Sequence, residues 1–211
     1  MSRRRAWGLG TILGVVALVI GGILLSLDRN AAEPSLVQYD AHYIDAGAML
    51  RLTETLSSDA LEGRATGSRG NEATRDFIQK RFETLGLRQF GDTYFQPFTA
   101  APEVQGGTSV SGVNLVGWIA GQTPGEGPAM VITAHYDHLG IVNGEIYNGA
   151  DDNASGVAAL VAVAQYFTLH RPKHDMIFAV VDAEEIGHLG SNAFVASPPV
   201  PLERIALNIN Y

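Results

Sequence analysis

Two continuous apolar runs, Ala129–Ala134 and Met176–Val181, each stop abruptly at ionisable residues. Runs this short fit strands buried on both faces and fall short of a helix. A strand buried on both faces needs covering layers above and below it. The segment between the runs supplies one: Ser155–Leu169 is dense in Ala and Val and reads as a helix. A second helix is expected over about Gly190–Ala196, and a third strand begins at Ile205–Ile209. Strand, helix, strand, helix, strand is the signature of an α/β domain, with a mostly parallel (mixed) sheet flanked by helices.

Upstream, a helix is expected over about Ala46–Leu56, followed by a glycine-punctuated loop from Leu61 to Gly70. Asn71 is expected to cap a helix that runs to Leu85 and ends at Gly86. Phe77, Ile78, Phe82 and Leu85 share one face of it. Thr93–Phe98 and Val113–Ile119 read as strands separated by a Gly/Ser-rich turn, and Pro124–Pro128 is a further turn.

The N-terminus is of another kind. Arg3, Arg4 and Arg5 precede an uncharged run from Ala6 to Leu27 that Asp28 ends. As a helix it would measure roughly 33 Å, enough to cross the hydrocarbon core. The basic flank places the remainder outside the cytoplasm, periplasmic or extracellular. The run is long and no clean Ala-x-Ala follows it, so an uncleaved transmembrane anchor is expected; cleavage would make the protein secreted. The expected organisation is an anchor over 1–27, a polar stalk over 28–44 and an α/β domain over 45–211. The net charge is −8; without the three leading arginines the rest carries 11 basic against 22 acidic residues. That excludes a nucleic-acid-binding surface, which needs a basic face. The chain has no cysteine, which excludes disulfides and thiolate metal sites.

Any metal must therefore take nitrogen and oxygen ligands, and the strand ends offer them. His135, Asp137 and His138 follow the first buried run; Asp182, Glu184 and Glu185 follow the second. Asp151, Asp152 and Asn153 sit just before the helix at Ser155. In open α/β sheets, sites form outside the carboxyl ends of strands, so these clusters share one rim. Asp137 can accept from the second ring nitrogen of His135 and fix its tautomer. Asp152 can present both oxygens and bridge two ions. Of Glu184 and Glu185, one can bind metal while the other handles protons. A single His-x-Asp is more often a surface pair, a Glu-Glu pair usually a solvated turn, and Asp-Asp-Asn can be only a helix cap. The joint placement decides for a metal site. His138 is a candidate supporter of that site, and His188 lies near the same rim. His170 and His174 read as solvated loop residues.

Taken together, the residues resemble the di-zinc aminopeptidases of metallopeptidase family twenty-eight, relatives of bacterial leucyl aminopeptidase, aminopeptidase Y and glutamate carboxypeptidase. The resemblance runs from about Leu50 to Tyr211. It is carried by Leu61–Ser68 (Leu-Glu-Gly-Arg-Ala-Thr-Gly-Ser), Asn114–Gly117 (Asn-Leu-Val-Gly) and the His135, Asp152 and Glu184 motifs. It implies a zinc-exopeptidase-like fold and two zinc ions, with manganese or cobalt also suited to the donors. It implies His135 as a zinc ligand oriented by Asp137, and Asp152 as the bridging carboxylate. Glu184 would be the general base that activates metal-bound water, and Glu185 a ligand of the other zinc. The implied substrates are peptides with a free N-terminus.

The family also supplies an Asp just after a strand like Ala206–Tyr211, and a His much further on. The sequence holds neither, so His135, Asp152 and Glu185 are the ligands it retains. The expectation is the N-terminal part of a longer gene product, or a weakly metallated, degenerate protein. Two other readings stand beside the peptidase. One is a non-catalytic membrane-anchored ectodomain that keeps the fold. The other is a glutaminyl-cyclase-like acyl transferase using one zinc.

Overall fold

The structure is a computed structural model that describes residues 44–100 and 109–211. The expected anchor, nearly all of the stalk and most of the turn before the third strand lie outside the described residues. Among the described residues, no helix is long and apolar enough to cross a membrane.

Helix α1 spans Ala46–Leu56, with the Asp45 carboxylate accepting from the Ala48 N–H at its start. A 3-10 turn, Asp59–Arg64, leads to α2, Arg69–Leu85. The cap of α2 is Ser68, whose hydroxyl accepts from the Asn71 N–H at 3.1 Å, and not Asn71 as expected. Asn71 lies inside the helix, buried, with its amide turned to the core. Gly86 closes α2 in the left-handed conformation, and the Leu87 N–H reaches back to the Phe82 carbonyl.

The strands are β1 (Arg88–Gln89), β2 (Phe95–Ala100), β3 (Val110–Ile119), β4 (Ala129–His135), β5 (Gly140–Val142), β6 (Glu145–Tyr147), β7 (Asp175–Val181) and β8 (Ile205–Asn210). Helix α3, Ser155–Leu169, joins the β4 region to β7, and α4, Leu189–Ala196, lies between β7 and β8. Six strands form one sheet in the order β1-β3-β7-β4-β8, with β2 also on β3. β3 runs antiparallel to β1, β2 and β7, while β4 runs parallel to β7 and β8. The sheet is therefore mixed, and its parallel part is limited to β7-β4-β8. The reason is connection length. β2 turns back directly onto β3, whereas β4 reaches β7 by a helical crossover.

β7 is buried at every position, as its apolar run requires. Its two faces enter different cores. Met176, Phe178 and Val180 pack with Ile78, Phe82, Leu115, Ile132 and Leu160 under α1, α2 and α3. Ile177, Ala179 and Val181 pack with Val116, Val131 and Phe194 under α4. β5 and β6 form a small separate hairpin that the sequence reading passed over. Its turn residues Asn143 and Gly144 both take positive φ, 54° and 84°, as a two-residue Asn-Gly hairpin turn requires.

Asp175 locks the end of the sheet remote from the charged rim. Its carboxylate accepts from the Gly121 N–H at 2.8 Å, the Gly125 N–H at 2.9 Å and the Arg204 guanidinium at 3.3 Å. Burial pushes this carboxyl up, but the two amides and Arg204 outweigh it and hold it below the usual range. A depressed carboxylate stabilises the fold above its unfolded pKa and stops doing so as pH falls through the folded value. Asp175→Asn should cost about 1–3 kcal/mol at pH 7. In urea titrations the gap from wild type should close as pH drops below about 4. An unchanged gap at low pH would mean the carboxylate charge is not what matters.

Candidate metal centre

The centre forms where β4 and β7 end side by side. They pair in parallel with His135 opposite Val181, so the residues after each strand emerge on one rim. His135 ends β4; Glu184 and Glu185 follow β7. The third contribution comes from the turn at Ala150–Ala154 before α3, where Asp152 and Asn153 leave helical geometry. The Asp152–Asn153 peptide is cis. Asn153 is fixed by accepting from the Gly156 N–H and by donating to the Tyr211 carbonyl.

His135, Asp152 and Glu185 offer one ligand atom each, all within 4.8 Å of one another. His135 Nε2 is 3.0 Å from Asp152 Oδ1. Donors on one zinc ion sit roughly 3–4 Å apart when each bond is about 2.0–2.2 Å. The His135–Asp152 pair already has this spacing, and Glu185 lies close enough to join it after a small side-chain adjustment. Burial lowers the His135 pKa, but the Asp137 hydrogen bond and the charges of Asp137, Glu184 and Asp152 win and raise it overall.

Asp137 is fully buried and does more than orient the histidine. His135 Nδ1 lies 3.2 Å from the Asp137 main-chain carbonyl and 3.7 Å from its carboxylate. The carboxylate itself accepts from the backbone N–H of Glu184 at 3.1 Å and of Glu185 at 3.2 Å. It thus fixes the main chain beneath both glutamates. Glu184, His135 and Asp152 line a cavity of about 650 Å³, together with the apolar Val131, Phe194 and Leu202.

Further residues hold the rim. Arg64, with 1 % exposure, ends the 3-10 turn at φ 56°. Its guanidinium donates to the carbonyls of Tyr136, Asn148, Gly149 and Leu56. It thereby ties the end of β4 to the loop that carries Asp152. Burial lowers its pKa, while Asp137, Asp152 and Glu185 pull it back up. Asp182 is equally buried and accepts from the Val113 N–H, the Asn71 amide and its neighbour Ala183 N–H. The Thr66 hydroxyl lies 3.1 Å from Asp182 and 3.4 Å from Asp137, and the Tyr136 hydroxyl is 3.0 Å from Asp182. Burial pushes Asp182 up, the bond from Val113 opposes it, and the Asp137 charge adds to the rise. Asn114 accepts from the Asp182 N–H and donates to the Gly190 carbonyl, fixing the start of the Glu184 loop. Arg64, Thr66 and Asn114 stood in sequence motifs, but no local signal assigned them these contacts. His188 lies on the rim, Nδ1 3.0 Å from Glu184 Oε1, and is largely exposed. His170 and His174 lie on other elements, at the end of α3 and before β7.

Asp137→Asn tests the support of the glutamate pair. An amide can accept from one of the two N–H groups but turns an NH₂ toward the other. Zinc affinity, measured by chelator competition, should fall about 10–100-fold. Unaltered affinity would separate Asp137 from the metal centre.

Comparison with known proteins bears on the fold and the family likeness. The sequence model of Peptidase family M28 matches residues 114–211. A vacuolar membrane protease of Candida glabrata is 23% identical over 89% of this chain, which covers 21% of that protein. The chain thus spans about a fifth of the length of the first curated relatives it matches. Among solved structures, glutaminyl cyclase of Porphyromonas gingivalis superposes with a TM-score of 0.63 at 20% identity, over 80% of this chain and 59% of that one. A Zn-dependent exopeptidase of Parabacteroides distasonis gives 0.63 at 19% identity, over 79% and 61%. At such identities the structural likeness is one of fold: a mixed α/β sheet flanked by helices. Through Asn114–Tyr211, the stretch that builds the rim, the chain is thus similar to peptidase family M28.

Proposed function

We propose that this domain works as a zinc-dependent metallopeptidase of the aminopeptidase type. The observation that carries the reading is the convergence of His135, Asp152 and Glu185 within 4.8 Å, with Glu184 next to Glu185 in the turn after β7. His135, Asp152 and Glu185 would hold the metal, and Asp152, with two oxygens, would be shared if a second ion binds. A bound zinc supplies Lewis acidity, polarising a carbonyl and lowering the pKa of water to about 7. Glu184 is the base: it takes the proton of the attacking water and returns it to the leaving amine. Asp137 holds the Glu184 main chain in place for that transfer. Substrates are peptides with a free N-terminus.

We also propose that residues 6–27 anchor the chain in a membrane with the domain outside the cytoplasm. The name of the vacuolar membrane protease relatives supports membrane association. Glutaminyl cyclase is the second reading, favoured by solved cyclases among the structures of the same fold.

Glu184→Gln in the full chain tests the base. Hydrolysis of an aminoacyl-nitroanilide panel should drop about 10²–10⁴-fold, with zinc content unchanged. Full activity in the variant would remove Glu184 from the chemistry. Cyclisation of a glutaminyl peptide without nitroanilide hydrolysis would replace the peptidase by the cyclase. Zinc binding with neither reaction would leave a binding ectodomain.

A further inference from the structure

His138, a candidate supporter of the site by sequence, has no part in the chemistry above, yet it reaches the centre. Its side chain is 11% exposed, and its Nδ1 lies 2.5 Å from Glu185 Oε1 and 3.9 Å from Asp152 Oδ2. The ring is held in a slot. A Cβ on Gly149 would come within 2.5 Å of His138 Cδ2 and 2.6 Å of Cγ, so only glycine leaves room for it. The His138 backbone N–H donates to the Arg64 carbonyl at 3.4 Å, and the Arg64 guanidinium holds the Gly149 carbonyl on the slot's far side. The imidazole is thus placed by the same buried arginine that places the Asp152 loop.

The 2.5 Å separation decides between two roles. Two ligands of one zinc, each about 2.0–2.2 Å from it, cannot sit much closer than roughly 3 Å to each other. The contact is instead a short hydrogen bond to a charged acceptor. An ionised carboxylate only accepts, so the proton is on His138 Nδ1. Carboxylates that bind metals are held in this way by a partner outside the coordination shell.

We propose that His138 is a positioning residue for the metal centre: its Nδ1–H donates to Glu185 Oε1 and holds that carboxylate toward Asp152. The proposal rests on Glu185 being a metal ligand. It makes a demand on atom position. Asparagine carries an amide N–H at the distance of Nδ1 from the backbone, whereas glutamine carries one at the distance of Nε2.

Zinc affinity of the full chain, by competition with a chromogenic chelator, reads this directly for wild type, His138→Ala, His138→Asn and His138→Gln. Circular dichroism of the zinc-free proteins checks folding, and the Asn and Gln variants carry the test alone if Ala unfolds. The expected result is a loss of about 10–100-fold in His138→Gln and His138→Ala, with most of it recovered in His138→Asn. Equal affinity in Gln and wild type would overturn the proposal. So would equal loss in Asn and Gln, which would assign the imidazole to the ion itself. A wild type that binds no zinc would overturn the ligand assignment of Glu185, and this role with it.

Discussion

The site depends on one pairing: β4 beside β7, parallel and in register. Both strands are largely apolar between their ends, so the charged residues of the site gather just after each run stops. Parallel direction then brings both charged tails out at the same end. An antiparallel pairing of the same two strands would place His135 and Glu185 at opposite edges of the sheet, a strand length apart. The register matters as much. With His135 level with Val181, the histidine faces the turn that carries the glutamates, and a shift of one residue would turn its ring to the other face of the sheet.

Beneath that rim lie buried ions of opposite sign. Arg64 spends its donors on carbonyl groups of three separate segments, and Asp182 gathers donors from β3, α2 and its own loop. Neither forms a simple ion pair. Each charge is dispersed over several dipoles, an arrangement that suits a scaffold whose ligand carboxylates must remain available. Thr66 adds a delicate element, one hydroxyl proton within reach of two buried carboxylates, Asp137 and Asp182.

Much of this was legible in the residues. The apolar runs located β4 and β7 to within a residue, and the Ala/Val-rich stretch located both ends of α3. The rim followed from those placements, and with it the meeting of His135, Asp152 and Glu185. The cap of α2 was misread because Ser68 and Asn71 are both cap-forming types, and tertiary demand moved Asn71 into the core. The β5–β6 hairpin carried its signal openly in Asn143-Gly144 but was too short to register as strands. The sheet's antiparallel half was understated because alternation in β2 and β3 does not announce the direction of pairing. Arg64 was illegible for a deeper reason: an arginine in a glycine-rich loop reads as solvent-facing, and only the assembled carbonyls reveal what it binds. His138 lay between these cases, visible as a neighbour but silent about which ring nitrogen does the holding.

The proposed ligands come from segments far apart along the chain, and that has a kinetic consequence. An ion shared by His135, Asp152 and Glu185 acts as a cross-link that closes two long loops, in a chain with no cysteine to make another. Such a link restricts the unfolded ensemble and must release its donors before the rim can open. The lifetime of the folded chain then becomes a property of its surroundings, because zinc bound only by the folded form stabilises it in proportion to the logarithm of its concentration. The same polypeptide would endure in a zinc-replete medium and decay quickly beside a strong chelator.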